Sequence, residues 1–146
     1  MTELVRQRTM DDCTLCCIAM ATGLPYDQVV AGASRARMGY TPGKGTRSTY
    51  WVLKELGFPA KVLFQLQQAA ITPGMIADPQ RLLATCIWGR RAIVSVPSLN
   101  EWAGHHDLYW DGHALHDPTT KPNRYAADAL ETIDPLEVVI FDERPA

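Results

Sequence analysis

The dipeptide Asp111-Gly112, set between alternating apolar residues, constrains this chain more than any other feature. Such a pair is the strongest short-range signal for a hairpin closed by a two-residue turn, both turn residues at positive φ. That turn fixes the pairing: Trp110 falls opposite His113, Leu108 opposite Leu115, and His106 opposite Asp117. Residues directly across an antiparallel pair share a face, with Cβ atoms about 5 Å apart. The register therefore predicts a His106–Asp117 contact on the face carrying Leu108, Trp110, His113 and Leu115. Asp107, Tyr109 and His116 fall on the other face. A carboxylate beside an imidazole holds one tautomer and favours the charged ring, as a catalytic histidine requires.

Helical signals crowd the front of the chain. Asp11-Asp12 reads as a helix start whose acidic side chains cap free amides. The run Cys13 to Ala21 is apolar nearly all round, as a buried helix is, and Gly23 and Pro25 end it. A second helix is predicted from Tyr26 to about Ala36, with Val29, Val30 and Ala33 inward. Met38 to Gly45 reads as a loop, and Thr46 to Leu56 as a third helix closed by Gly57. Strand signals follow at Ala60–Phe64, at Arg91–Val96 before Pro97, in the Asp-Gly hairpin, and at Leu136–Phe141. Between them Asp78-Pro79 opens a fourth predicted helix with Leu82, Leu83 and Cys86 along one side. Helices first and strands after imply an α+β domain with a mostly antiparallel sheet. A single domain is expected over 1–146, its helical part about 11–58 and its sheet part about 59–142.

Charge narrows the function classes. Fourteen basic and sixteen acidic side chains give a net charge of -2, which argues against a nucleic-acid binder working by bulk positive charge. Three of the four cysteines, Cys13, Cys16 and Cys17, sit too close along one turn for a disulfide framework, so a reducing compartment is expected. The N-terminus lacks the apolar run of a signal peptide, and Cys16–Ala21 falls far short of the ~20 residues of a membrane span. The expectation is a cytoplasmic protein without a membrane partner.

Cys13 stands at the first turn of a predicted helix, where backbone amides and the helix dipole favour a thiolate. Cys16 and Cys17 lie further along and are expected to pack inward. Six residues before Cys13, Gln7 offers a side-chain amide for the oxyanion that develops in acyl transfer. Cys13, His106, Asp117 and Gln7 together make a constellation for nucleophilic catalysis.

The run Gln7-Arg8-Thr9-Met10-Asp11-Asp12-Cys13-Thr14-Leu15-Cys16-Cys17-Ile18-Ala19-Met20 resembles the opening of the papain-like peptidases that process double-glycine leader peptides of bacteriocins. That family shows a glutamine, five residues, then the nucleophilic cysteine after an aspartate and a helix of small and apolar residues. The strand ending at Pro97, the histidine opening His106-Asp107-Leu108-Tyr109-Trp110, and Asp117-Pro118 are similar too. The resemblance implies a papain-like fold and a cysteine peptidase without cofactor, acting on a peptide or protein substrate. Cys13 would be the nucleophile, His106 the general base, Asp117 its orienting partner and Gln7 the oxyanion donor. Thr14 departs from the family, which usually has glycine there. The chain looks like the small stand-alone papain-like proteins of bacterial and phage genomes.

His105 is the alternative base; His106 is preferred because only it lands opposite Asp117 in the two-residue turn. Two rival readings remain. His113-x-x-His116 and Cys13-x-x-Cys16 are parts from which a metal site can be built, although a three-residue step on a strand turns the two rings to opposite faces. A non-catalytic peptide- or protein-binding module on the same fold is the other. The aromatics Tyr50, Trp51, Trp88, Trp102, Tyr109 and Trp110 are groove or core residues, and Arg90-Arg91 reads as a solvated edge.

Overall fold

The computed structural model describes residues 3–65, 87–98, 105–119, 130, 133 and 135–142. The predicted fourth helix with Leu82, Leu83 and Cys86 lies outside the described residues, as does Trp102. Helix α1 spans Cys13–Thr22 and ends on Gly23 in the left-handed conformation, whose amide donates to the Ala19 carbonyl at 2.9 Å. Every residue from Thr14 to Ala21 is buried, which is why the run carries no polar face. Helix α2 (Tyr26–Arg35) buries Val29 and Ala33, and α3 (Thr49–Glu55) starts where the Ser48 hydroxyl accepts the Trp51 amide at 3.3 Å. The segment expected to be a loop instead forms a two-stranded ribbon, β1 (Tyr40–Thr41) against β2 (Gly45–Thr46).

The main sheet contains β3 (Ala60–Gln65), β4 (Ala92–Pro97), β5 (His105–Trp110), β6 (Leu115–His116) and β7 (Glu137–Phe141). Its spatial order is β3-β7-β4-β5-β6, and every described pairing is antiparallel. The molecule is thus an α+β fold. One face of the sheet presents Ile93, Tyr109, Val139 and Phe141 to α1, whose Leu15 and Ile18 join the same core. The opposite face presents Ala92, Val94, Val96, Leu108, Trp110, Val138 and Ile140, which pack with Ile87, Leu115, Leu130 and Ile133. Sheet residues so sandwiched on both sides read as short continuous apolar runs, as Ala92–Val94 does. Among the described residues no single helix is long and apolar enough to cross a membrane.

The hairpin register differs from the two-residue expectation. Trp110 pairs with Leu115 and Tyr109 with His116, leaving Asp111 to Ala114 as the connection. The cause is the Asp111 side chain: its Oδ1 accepts the amides of both His113 and Ala114 at 2.9 Å. The Asp111 amide in turn donates to the Ala114 carbonyl at 3.1 Å. Only Gly112 takes positive φ, at 106°, and a Cβ there would stand 3.2 Å from the Gly89 carbonyl carbon, so two turns meet closely at a residue whose backbone favours glycine. The slip is two residues, and two residues restore the same face. His106 and Asp117 therefore still share a side of the sheet, as diagonal neighbours instead of direct ones. Arg90 and Arg91 are also tied in: Arg91 donates to the Ala21 carbonyl and lies 4.6 Å from the Phe141 ring centre, and Arg90 donates to the Phe141 carbonyl at 3.4 Å.

Candidate active site

His106 Nε2 and Asp117 Oδ1 are 2.7 Å apart, with both side chains largely withdrawn from solvent. Asp117 directly follows the hairpin's return strand, and its Oδ1 also accepts the Thr119 amide at 2.9 Å. Its other oxygen, Oδ2, is buried without a hydrogen-bond partner among the described residues. The N-terminal segment runs beside this corner. The Gln7 amide donates to the Pro118 carbonyl at 2.8 Å, and Arg6 reaches the Thr119 carbonyl at 2.7 Å. So the glutamine and the aspartate expected to act together are joined through adjacent backbone. The Gln7 side-chain amide donates to the Thr9 carbonyl at 3.2 Å.

Cys13 is half-buried at the start of α1, while Cys16 and Cys17 are fully buried, as expected. The backbone amide of Asp107 faces the Cys13 sulfur, which sets it one residue along β5 from His106. It also lines a groove of about 620 Å³ whose other members include Asp11, Thr14, Tyr40, Gly43, Lys44 and His105. Alternation along β5 turns His105 toward this groove, with Asp107 on the same side of the strand, and His106 toward Asp117 on the other side. Cys13 and His105 thus share the groove wall, while His106 carries the carboxylate partner.

The electrostatics depart from the expected thiolate. Burial pushes the Cys13 thiol up, the Asp107 carboxylate pushes it further, and the result is about 12. The helix-start effect is outweighed first by burial and then by the Asp107 anion on the neighbouring strand. Asp107 itself is buried, its two oxygens occupied by the hydroxyls of Thr14 and Ser95. Ser95 is its cross-strand partner on β4 and Glu137 is the partner of Ser95 on β7, so the three residues form a polar row across one face.

The Asp11-Asp12 pair does not cap α1. Asp12 occupies the cap position but makes no capping bond; its carboxylate turns back to the Arg8 and Thr9 amides. Asp11 turns outward, its Oδ2 accepting the Gly43 amide at 2.6 Å and its Oδ1 accepting Tyr40 Oη at 3.2 Å. These two carboxylates, Asp107 and the β1–β2 ribbon are the site features that sequence reasoning missed. The one available signal was the alternation of β5, which does place Asp107 on the face toward α1.

The histidines of the hairpin are engaged with other side chains. His116 Nε2 pairs with Asp111 Oδ2 at 2.8 Å and its ring stacks on Tyr109, while His113 meets the exposed Trp88 edge-on. Among the described residues no three His, Cys, Asp or Glu side chains converge as ligands would. Of the aromatics, Tyr109 and Trp110 are core, and Trp51 is half-buried between Arg37 and Lys54. Set against known protein families and curated proteins, the chain matches none of them.

Proposed function

We propose that this protein is a papain-like cysteine hydrolase that cleaves a peptide or amide bond. The observation that carries the reading is the 2.7 Å His106–Asp117 pair on the strand whose next residue, Asp107, presents its backbone amide to the Cys13 sulfur. The pairing of Nε2 with Asp117 assigns proton handling to the other ring nitrogen, Nδ1. Because the resting sulfur is held as a thiol, a histidine removes its proton as the sulfur attacks the carbonyl. His106, paired with Asp117, is the proposed base, and His105, which lines the groove on the sulfur's side of β5, is the alternative. A resting thiolate–imidazolium pair is not required. The oxyanion is met by the Gln7 side chain and a helix-start amide. His106 then protonates the leaving amine, and water, deprotonated by His106, releases the acyl group from sulfur. The resemblance to leader-processing peptidases makes a peptide segment the substrate expected in the groove beside Cys13. No cofactor enters this scheme.

The test is hydrolysis of a pool of fluorogenic peptide amides by the wild-type chain, Cys13→Ala and His106→Ala. Turnover that both variants abolish supports the reading, and turnover indifferent to Cys13 overturns it. One observation favours a second reading: a thiol raised to about 12 suits a groove that binds without cutting. In that case Cys13→Ala keeps full peptide affinity and the wild type turns nothing over.

A further inference from the structure

We infer that Asp12 is a positioning residue for the oxyanion donor, holding Gln7 in place relative to Cys13; this rests on the hydrolase reading above. Asp12 is 0% exposed, and its carboxylate collects three donors. Oδ2 takes the Arg8 amide at 3.0 Å and the Tyr26 hydroxyl at 2.7 Å, and Oδ1 takes the Thr9 amide at 3.3 Å. A carboxylate has lone pairs for all three, and hydrogen bonds to a charged acceptor are the strong ones. The side chain of the residue just before the nucleophile therefore closes the turn that begins just after Gln7.

The connection continues to the Gln7 side chain. The Thr9 amide is held by Asp12, and the next group along, the Thr9 carbonyl, accepts Gln7 Nε2. A primary amide has two N–H donors, so one bond to Thr9 orients the group and leaves the second for a developing oxyanion. Tyr26 anchors the brace to α2. Burial and the Asp12 carboxylate both push its phenol up, so it stays a donor, and the Arg8 guanidinium covers its ring at 4.0 Å. A donor that must meet charge only in the transition state needs its position set in advance, since reorientation at that moment would cancel the gain.

Two small probes isolate this role without knowledge of the natural substrate. With p-nitrophenyl acetate the Cys13 sulfur forms a bond to the acetyl carbon, the thiol proton passes to His106, and p-nitrophenolate leaves; an oxyanion develops on the way. Water then cleaves the thioester to acetate. With iodoacetamide the sulfur displaces iodide in one step, the proton goes to solvent, and no oxyanion forms. Among variants that leave His106 in place, changes in the ratio of acylation to alkylation rates thus report oxyanion stabilisation.

Gln7→Ala and Asp12→Asn should each lower that ratio by at least about tenfold, within the range for loss of an oxyanion donor. The double variant should be no worse than either single, because both changes remove one interaction. A wild-type ratio in Asp12→Asn, or losses that multiply in the double variant, overturns the inference. Should Asp12→Asn fail to fold, Tyr26→Phe removes one of the three donors: a partial fall in the ratio supports the brace, and an unchanged ratio overturns it. Ester cleavage that survives Cys13→Ala defeats the hydrolase reading itself. Cleavage that Cys13→Ala abolishes while Asp12→Asn matches wild type defeats only the role of Asp12.

Discussion

Thr14 donates its hydroxyl to the Asp107 carboxylate, joining the first turn of α1 to β5 through the residue after Cys13 and the residue after His106. A second hydroxyl, from Ser95, occupies the other oxygen of the same carboxylate. Both partners are neutral, so the negative charge stays close to the Cys13 sulfur and helps to hold it as a thiol. This gives Thr14, the residue that departs from the glycine of the leader peptidases, a defined task. A glycine there would leave Asp107 one hydrogen bond short in a buried place.

Replacing Asp107 by asparagine should therefore accelerate alkylation of Cys13. Hydroxyls accept as well as donate, so the amide of asparagine finds partners in Thr14 and Ser95 without rebuilding the fold. Removing a nearby like charge lowers a thiol by about one unit or more, which implies roughly tenfold faster iodoacetamide labelling at pH 8. Wild-type Cys13 should label more slowly than a free thiol, yet ahead of the fully buried Cys16 and Cys17. The sign follows from the raised thiol: labelling climbs as pH rises toward about 12 and shows no plateau near neutrality. A plateau below pH 7, mapped by mass spectrometry, would mean a resting thiolate.

The His106–Asp117 contact was legible in the sequence although the pairing that suggested it was not. Alternation settles which residues share a face, and a two-residue slip leaves that unchanged, so the contact survives as a diagonal. The slip itself came from a competing bond that the dipeptide signal ignores: Asp111 caps the amides of His113 and Ala114 instead of taking positive φ. Of the helices that fall on described residues, α1 was readable from its unbroken apolar run and Gly23, and α2 and α3 from apolar spacing, although α3 begins at Thr49 and Thr46 belongs to a strand. The Asp11-Asp12 pair misled because a capping side chain and a brace for the preceding turn demand the same residue types. Only the fold decides which amides lie within reach, and the Thr14–Asp107 link, 93 residues apart, has no local trace at all.

His105 and His106 are separable by substitution. His106 holds Asp117, whereas His105 lines the groove with Cys13, and the proposed mechanism needs the former. His106→Ala should cost about 10²–10⁴ in acylation rate, the usual range for a general base, while His105→Ala should cost less than about fivefold. Asp117→Ala should fall between, since the ring loses its orienting partner but stays on the strand. If His105→Ala proves the severe variant, the base has been assigned to the wrong neighbour. Rates of p-nitrophenolate release under single-turnover conditions check all three.

Asp11 should govern binding more than chemistry. It ties the β1–β2 ribbon to the Cys13 segment, through the Gly43 amide at 2.6 Å and the Tyr40 hydroxyl at 3.2 Å, and both sides of that tie line the groove. Asp11→Ala should raise KM for a peptide that fills the groove and leave acylation by p-nitrophenyl acetate unchanged. Burial works against the Asp11 carboxylate, but bonds from Thr9, Gly43 and Tyr40 outweigh it and hold it below its ordinary range. The tie is therefore complete above about pH 4 and is lost as pH falls below it. Peptide KM measured from pH 7 down to pH 3 should rise in the wild type and stay flat in Asp11→Ala.

Asp111 gives the fold itself an acid-dependent component. Burial would raise its carboxyl, yet the His116 ring and the amides of His113 and Ala114 hold it at about 2. An aspartate in the unfolded chain titrates near 3.9, so the folded state binds this proton more weakly. The stabilisation is then fully present above about pH 4 and is lost as pH falls through about 2. Linkage alone implies about 2 kcal/mol for such a shift; solvent at the partly open pair reduces this to about 1 kcal/mol. Asp111→Ala should lower stability by about that much at pH 6, through the lost His116 bond and the two turn amides left without their acceptor. At pH 2 the two proteins should differ by little. Urea unfolding at both values decides it: an equal difference at pH 6 and pH 2 would show that the loss comes from packing of the turn and not from the charge on Asp111.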